Sequence, residues 1–238
     1  MVLLQFQQLS FQVIFKAFIV HGFLFAFFIF MIYKIFKRGT SRLNVIFGCF
    51  YITIIIGFFF NFVFVLLANE FFILIFYYLT VFFLLIGPSF MLVFTIILWK
   101  SSNVFTSYKQ FIILIITGIS YFCMIFIPDG VSINAQTNWN PVYSIPYFLY
   151  LVIVFTLLEG IPQIYVSLKT YNALREERLR QKWKQFNIGL LLIYISAYGT
   201  IIYQTLNIEL IRLIWSFVVL IFFVIASILI YNGVGKFE

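Results

Sequence analysis

The sequence predicts an all-α, polytopic integral membrane protein with seven transmembrane helices, its N-terminus outside and its C-terminus cytoplasmic. Three observations lead there. Of 238 residues, 64% are hydrophobic and only 9% charged, whereas soluble domains run at about half apolar and about a quarter charged. So few charges cannot cover the surface of a soluble fold of this length, and a mean hydropathy of +1.12 agrees. The apolar residues fall in long runs, and a spanning helix needs about 20 of them. Finally, the basic residues collect in alternate connections, as the positive-inside rule requires.

The runs fall at 11–33, 45–67, 71–99, 111–127, 144–168, 186–205 and 210–232, so residues 1–238 read as one seven-helix domain. Each run is helical because lipid cannot satisfy an open backbone, and none alternates as barrel strands do. The first run is long, lacks a preceding basic stretch and leads into a basic loop, so it reads as a span and not as a cleavable signal. Lys34, Lys37, Arg38 and Arg42 follow it, Lys100 and Lys109 follow the third run, and Lys169, Arg175, Arg178, Arg180, Lys182 and Lys184 follow the fifth. With Lys236 in the tail, these are thirteen of the fifteen basic residues, all on one side. The opposite connections hold Glu70, Asp129 and Glu209. Trp99, Trp139 and Trp183 fall at span ends, where interfacial anchors belong. The net charge of +8 is explained by this bias and by anionic headgroups. The expected partner is therefore the lipid bilayer, with no nucleic acid, and the expected location is the plasma membrane.

Composition excludes several chemistries. One His, one Asp and two Cys cannot write a zinc-protease helix, paired-His haem ligation or a magnesium site of several aspartates. Ser89, after Gly87-Pro88, reads as a helix kink with its hydroxyl on the backbone, not as a nucleophile for His21. No enzyme activity, cofactor or metal is expected. Cys49 and Cys123 differ in depth by roughly 10 Å and read as unpaired, small, buried side chains.

Polar groups inside spans are expensive, at about 3 kcal/mol for a charge, and so mark positions of interest. Lys16 is placed to snorkel outward, and Arg212 to pair with Glu209 at i,i+3. Glu159 has no such local explanation. At 100° per residue, Thr156, Glu159, Gln163, Ser167 and Thr170 share an arc of about 80°, a polar face that must turn inward. The sixth span offers a face to match it, with Gly189, Ser196, Thr200 and Tyr203 on one side, and Ser196-x-x-x-Thr200 is a spacing that permits close helix approach. The second span adds Thr53, Gly57 and Asn61, and the first adds His21, from which a carboxyl–imidazole hydrogen bond to Glu159 is expected. Gly160, Pro162 and Pro88 are the expected hinges. Two readings follow for this seam: hydrogen-bonded glue between helices, or the lining of a ligand pocket. The mixed-charge run from Arg175 to Lys184, with Arg178, Arg180 and Lys182 within it, extends the fifth and sixth helices past the bilayer. It reads as a surface-bound connection or as a docking face for a partner.

Seven spans, an outside N-terminus and a charged connection before the sixth span resemble the sensory modules that precede histidine kinase domains. The stretch from Trp139 through Gln204 carries that resemblance, chiefly Trp139 and Arg175–Lys184. It implies a membrane sensor that signals through its cytoplasmic loops to a partner or as a homo-oligomer, here with no catalytic domain expected after Glu238. Gly160-Ile161-Pro162-Gln163 is also similar to the motif of PQ-loop transporters, with an echo in Asn69-Glu70 and Asn207-Ile208-Glu209. That similarity implies the alternative, a small-solute transporter. A structural subunit of a membrane complex is the third expectation. No lysine lies in the interior of the seventh span, which argues against retinal.

Overall fold

The computed structural model describes Val13 and residues 15–67, 69–101 and 104–234. Lys236, and the part of the first expected span at 11, 12 and 14, lie outside these. Seven helices are long and apolar enough to cross a membrane: α1 Phe15–Phe36, α2 Arg42–Leu66, α3 Glu70–Lys100, α4 Ser107–Phe126, α5 Ile145–Ala173, α6 Glu177–Leu206 and α7 Glu209–Val234. They match the seven apolar runs, lengthened mainly at the charged ends. Three of them depart locally from α geometry. Phe15–His21 at the start of α1 and Thr156–Gly160 within α5 are π-helical, and α4 ends in a 3-10 turn at Cys123–Phe126.

The elements begin and end where the local chemistry requires. The Ser41 hydroxyl accepts from the Asn44 amide ahead of α2, and the Asn69 side chain accepts from the Phe71 amide ahead of α3, satisfying amides that have no helical partner. Asn207 closes α6 in the left-handed conformation (φ 54°), which asparagine tolerates, and α7 starts two residues later.

Packing is most extensive between α2 and α3 and between α6 and α7; α1 closes the ring by touching both α2 and α7. Of its most apolar window, α3 buries 61% against 22% for α4 and α7, so α3 is the central helix. Its neighbours include α2, α4 and α5. The outer faces stay apolar, with Phe71, Phe111, Phe126, Ile164, Leu191 and Ile214 exposed, a surface suited to lipid and not to water. α6 meets α7 closely at two glycines: a Cβ at Gly199 would overlap the Trp215 ring, and one at Gly189 would lie 2.8 Å from the Ala226 carbonyl oxygen.

One end of the bundle carries the basic connections, tied together by Arg42 donating to the Phe105 carbonyl at 3.1 Å and by Arg38 stacked 3.7 Å over the Tyr231 ring. The other end carries an element that a purely helical expectation lacks. Val131–Ser132 (β1) pairs antiparallel with Val142–Tyr143 (β2), Val131 opposite Tyr143. This ribbon packs down on the helices: Tyr143 shares a 2.6 Å hydroxyl bond with Tyr77, and Asn138 Nδ2 donates to Glu209 at 3.0 Å. Two further expectations are corrected. Trp183 is not an interfacial anchor; it is 1% exposed, stacks on Phe186 and donates to the Ser167 carbonyl. Cys123 is exposed and Cys49 half-buried, both unpaired.

Candidate functional site

The inward polar residues divide into two places. The first is a cavity of about 130 Å³ between the helices, lined from α1, α2, α3, α6 and α7 and roofed by Tyr143. Leu151 of α5 also lines it, and the walls draw on both apolar clusters of the core: Phe50, Ile54 and Phe58 from one, Tyr77, Val81, Leu85 and Leu151 from the other. His21, Asn61, Ser196, Thr200 and Tyr203 all reach it, as do Lys16, Thr80, Gln204 and Ser216.

Most of these groups are bonded, to one another or to a carbonyl of their own helix. His21 Nδ1 meets Asn61 Oδ1 at 2.8 Å while its ring stacks on Phe58 with centroids 5.0 Å apart. The Ser196 hydroxyl bonds to the Leu192 carbonyl, and that of Ser216 to the Arg212 carbonyl. Lys16 does not snorkel. Its Nζ donates to the Tyr203 hydroxyl at 2.6 Å and sits 4.9 Å from the centre of that ring. The π turn explains the inward aim. Residues five apart lie about 140° apart around an α-helix, but i→i+5 bonding brings them close to one face. Lys16 and His21 therefore both point into the cavity.

Arg212 stands beside the roof, 4% exposed, donating to the Pro141 carbonyl at 3.0 Å, with its Nε unpartnered. It makes no hydrogen bond to Glu209, whose carboxylate accepts from Asn138 instead, so the expected local pair is an electrostatic attraction without direct contact. Tyr77, Tyr143 and Tyr203 lie within electrostatic range of its guanidinium. Burial pushes the Tyr143 phenol well above its ordinary range, which keeps it protonated and able to donate.

The second place is a sealed ladder between α5 and α3. The Ser89 hydroxyl donates to Glu159 Oε1, and Gln163 Nε2 donates to Thr95 Oγ1 at 2.9 Å. Glu159 is 0% and Gln163 2% exposed. Thr156 meets the Tyr198 hydroxyl at 2.7 Å, and Ser167 and Thr170 are also buried. Glu159 Oε2 has no partner; the hydroxyls of Tyr121 and Tyr194 lie in electrostatic range of it but complete no hydrogen bond of good geometry.

Three expectations change here. Glu159 pairs with Ser89 and not with His21, whose partner is Asn61. The polar face of α5 meets α3, not the Ser196–Thr200 face of α6. Ser89 spends its hydroxyl on Glu159 rather than on the backbone. The loosening expected around Gly160 and Pro162 takes the form of the π turn Thr156–Gly160, while α3 runs continuously through Pro88. Tyr77, Thr80, Tyr143, Gln204 and Ser216 escaped the sequence reading, and Lys16 points inward where the sequence suggests outward. Tyr77, Thr80, Leu84 and Pro88, at helical spacing, form the one stripe of α3 that reaches the cavity, and two polar groups on it were the available signal.

At the basic end, Arg175, Arg178 and Lys184 are exposed. Arg180 turns back, donating through Nε to the Leu174 carbonyl at 2.7 Å and lying over the Tyr171 ring with Lys184. Lys182 is half-buried. The exposed basic face is therefore narrower than its sequence suggests. Among the described residues, no group of three or more His, Cys, Asp or Glu is placed to hold a metal.

Comparison with family models, with curated proteins and with solved structures gives no match.

Proposed function

We propose that this chain is an integral membrane sensor: a receptor-like module that holds a small ligand in the cavity and signals through its basic end, with the N-terminus outside and that end cytoplasmic. The observation that supports it is the cavity itself. Five helices contribute polar side chains to a space that the described residues leave open, and such convergence is the usual form of a small-molecule site. The wall residues Ser196, Thr200 and Tyr203 belong to the helix that begins at Glu177, so one element joins the cavity to the exposed basic run. Arg178 and Lys184 are the residues of that run best placed to meet a cytoplasmic partner.

Native mass spectrometry of the protein in lipid nanodiscs tests the cavity. A small-molecule adduct carried through purification should be present on the parent and lost from Thr200→Phe, whose ring takes up much of the space. An adduct retained equally by both breaks the reading. For orientation, single cysteines in a background free of Cys49 and Cys123 suffice. Gln136→Cys should react with an impermeant reagent in intact cells, and Gln181→Cys only after permeabilisation; labelling of both from one side overturns the topology.

A further inference from the structure

We propose that the cavity takes a small organic anion: a carboxylate carried on one ring or a short acyl chain, its charge on Lys16 and its apolar body along Ile54, Phe58, Leu84 and Phe223. This rests on the reading of the cavity as a ligand site and goes further by naming the ligand class.

Charge accounting points to it. Lys16 reaches the cavity with a phenol hydroxyl as its hydrogen-bond partner. The chain has seven Asp and Glu residues; Glu238 lies outside the described residues, and none of the other six lines the cavity or pairs with Lys16. Residues 1–12 contain no acidic side chain at all. A second cation, Arg212, stands at the same end with a buried Nε that donates to nothing. Lys16 thus lines a cavity whose walls carry no carboxylate, and Arg212 stands beside it with the phenols of Tyr77, Tyr143 and Tyr203 and the Glu209 carboxylate within electrostatic range. A cation in low dielectric without a counter-ion is costly, and a charge-assisted bond to a carboxylate is the strongest remedy available.

The remaining geometry limits the ligand's body. Away from Lys16 the lining turns to Ile54, Phe58, Leu84 and Phe223, which suit hydrocarbon. A cavity of about 130 Å³ is close in size to an engineered cavity of about 150 Å³ that admits one benzene ring. It is far too small for the paired chains of a phospholipid. His21, held against Asn61 and Phe58, forms a polar wall beside the apolar body.

The test uses the full chain in nanodiscs of phosphatidylcholine alone, so that no anionic headgroup competes. Radiolabelled benzoate is the probe and benzamide, its neutral isostere, the competitor. Saturable benzoate binding is expected, with benzamide weaker by about tenfold or more; Lys16→Met should lose about tenfold and Lys16→Arg should stay within about threefold of the parent. Thr200→Phe should abolish binding. If benzamide competes as well as benzoate, and Lys16→Met binds like the parent while Thr200→Phe does not bind, the anion assignment fails and the cavity reading stands. If binding survives Thr200→Phe, both fail. No saturable benzoate binding overturns the anion assignment, and the adduct measurement then judges the cavity separately.

Discussion

The ladder between α3 and α5 and the cavity beside α1 use the same kinds of side chain, yet they solve opposite problems. In the ladder, Ser89 meets Glu159 and Thr95 meets Gln163, all four buried. In the cavity, Lys16 bonds to Tyr203 and His21 to Asn61 along the wall, and both still border an open space. A buried polar group is costly unless it is bonded, so the ladder converts its polar groups into helix-to-helix attachment. The cavity bonds its own around a space. The lesson is that polarity inside an apolar helix marks an inward face but does not say whether that face grips or receives.

Substitutions should therefore hurt stability in the ladder and binding in the cavity. The largest stability effect is expected at Glu159. Glu159→Leu strands the Ser89 hydroxyl and should lower stability by about 1–3 kcal/mol, whereas Glu159→Gln, which keeps an acceptor, should cost less than about 1 kcal/mol. Thermal unfolding in detergent, followed by near-ultraviolet circular dichroism, separates the two; equal losses would show that the hydrogen bond is not what the ladder contributes. A smaller effect, about 1 kcal/mol, is expected for His21→Leu, which removes one bond to Asn61 and the stack on Phe58. A loss there exceeding that of Glu159→Leu would reverse the comparison. The smallest should be Thr200→Phe, within about 0.5 kcal/mol of the parent by the same measurement, because its ring enters existing space rather than displacing neighbours. Unfolding of that variant would mean the cavity cannot be filled as drawn.

The seven helices were legible because twenty apolar residues in a row leave the backbone no alternative. The inward turn of Glu159 and Gln163 was legible from a period of 100° per residue. Which helix they would meet was not, since a face is a direction and the partner depends on how all seven axes are arranged. Lys16 was misread for a different reason. A lysine stem can bend either way, and the π turn that rotates it toward His21 has no signature in residue types alone. The Tyr143 roof was hidden too, because it comes from a two-residue ribbon in a connection that hydropathy treats as blank.

The hairpin of α6 and α7 has a mechanical consequence. Asn207 allows only a tight reversal, and the glycine contact at Gly189 presses the two backbones together, so the pair behaves as a single stiff beam. At 1.5 Å per residue, the thirty residues of α6 make a lever about 45 Å long. Tyr203 sits near one tip and Arg178 near the other, so any tilt of the beam as a rigid body displaces the cavity wall and the charged surface together, tens of ångströms apart.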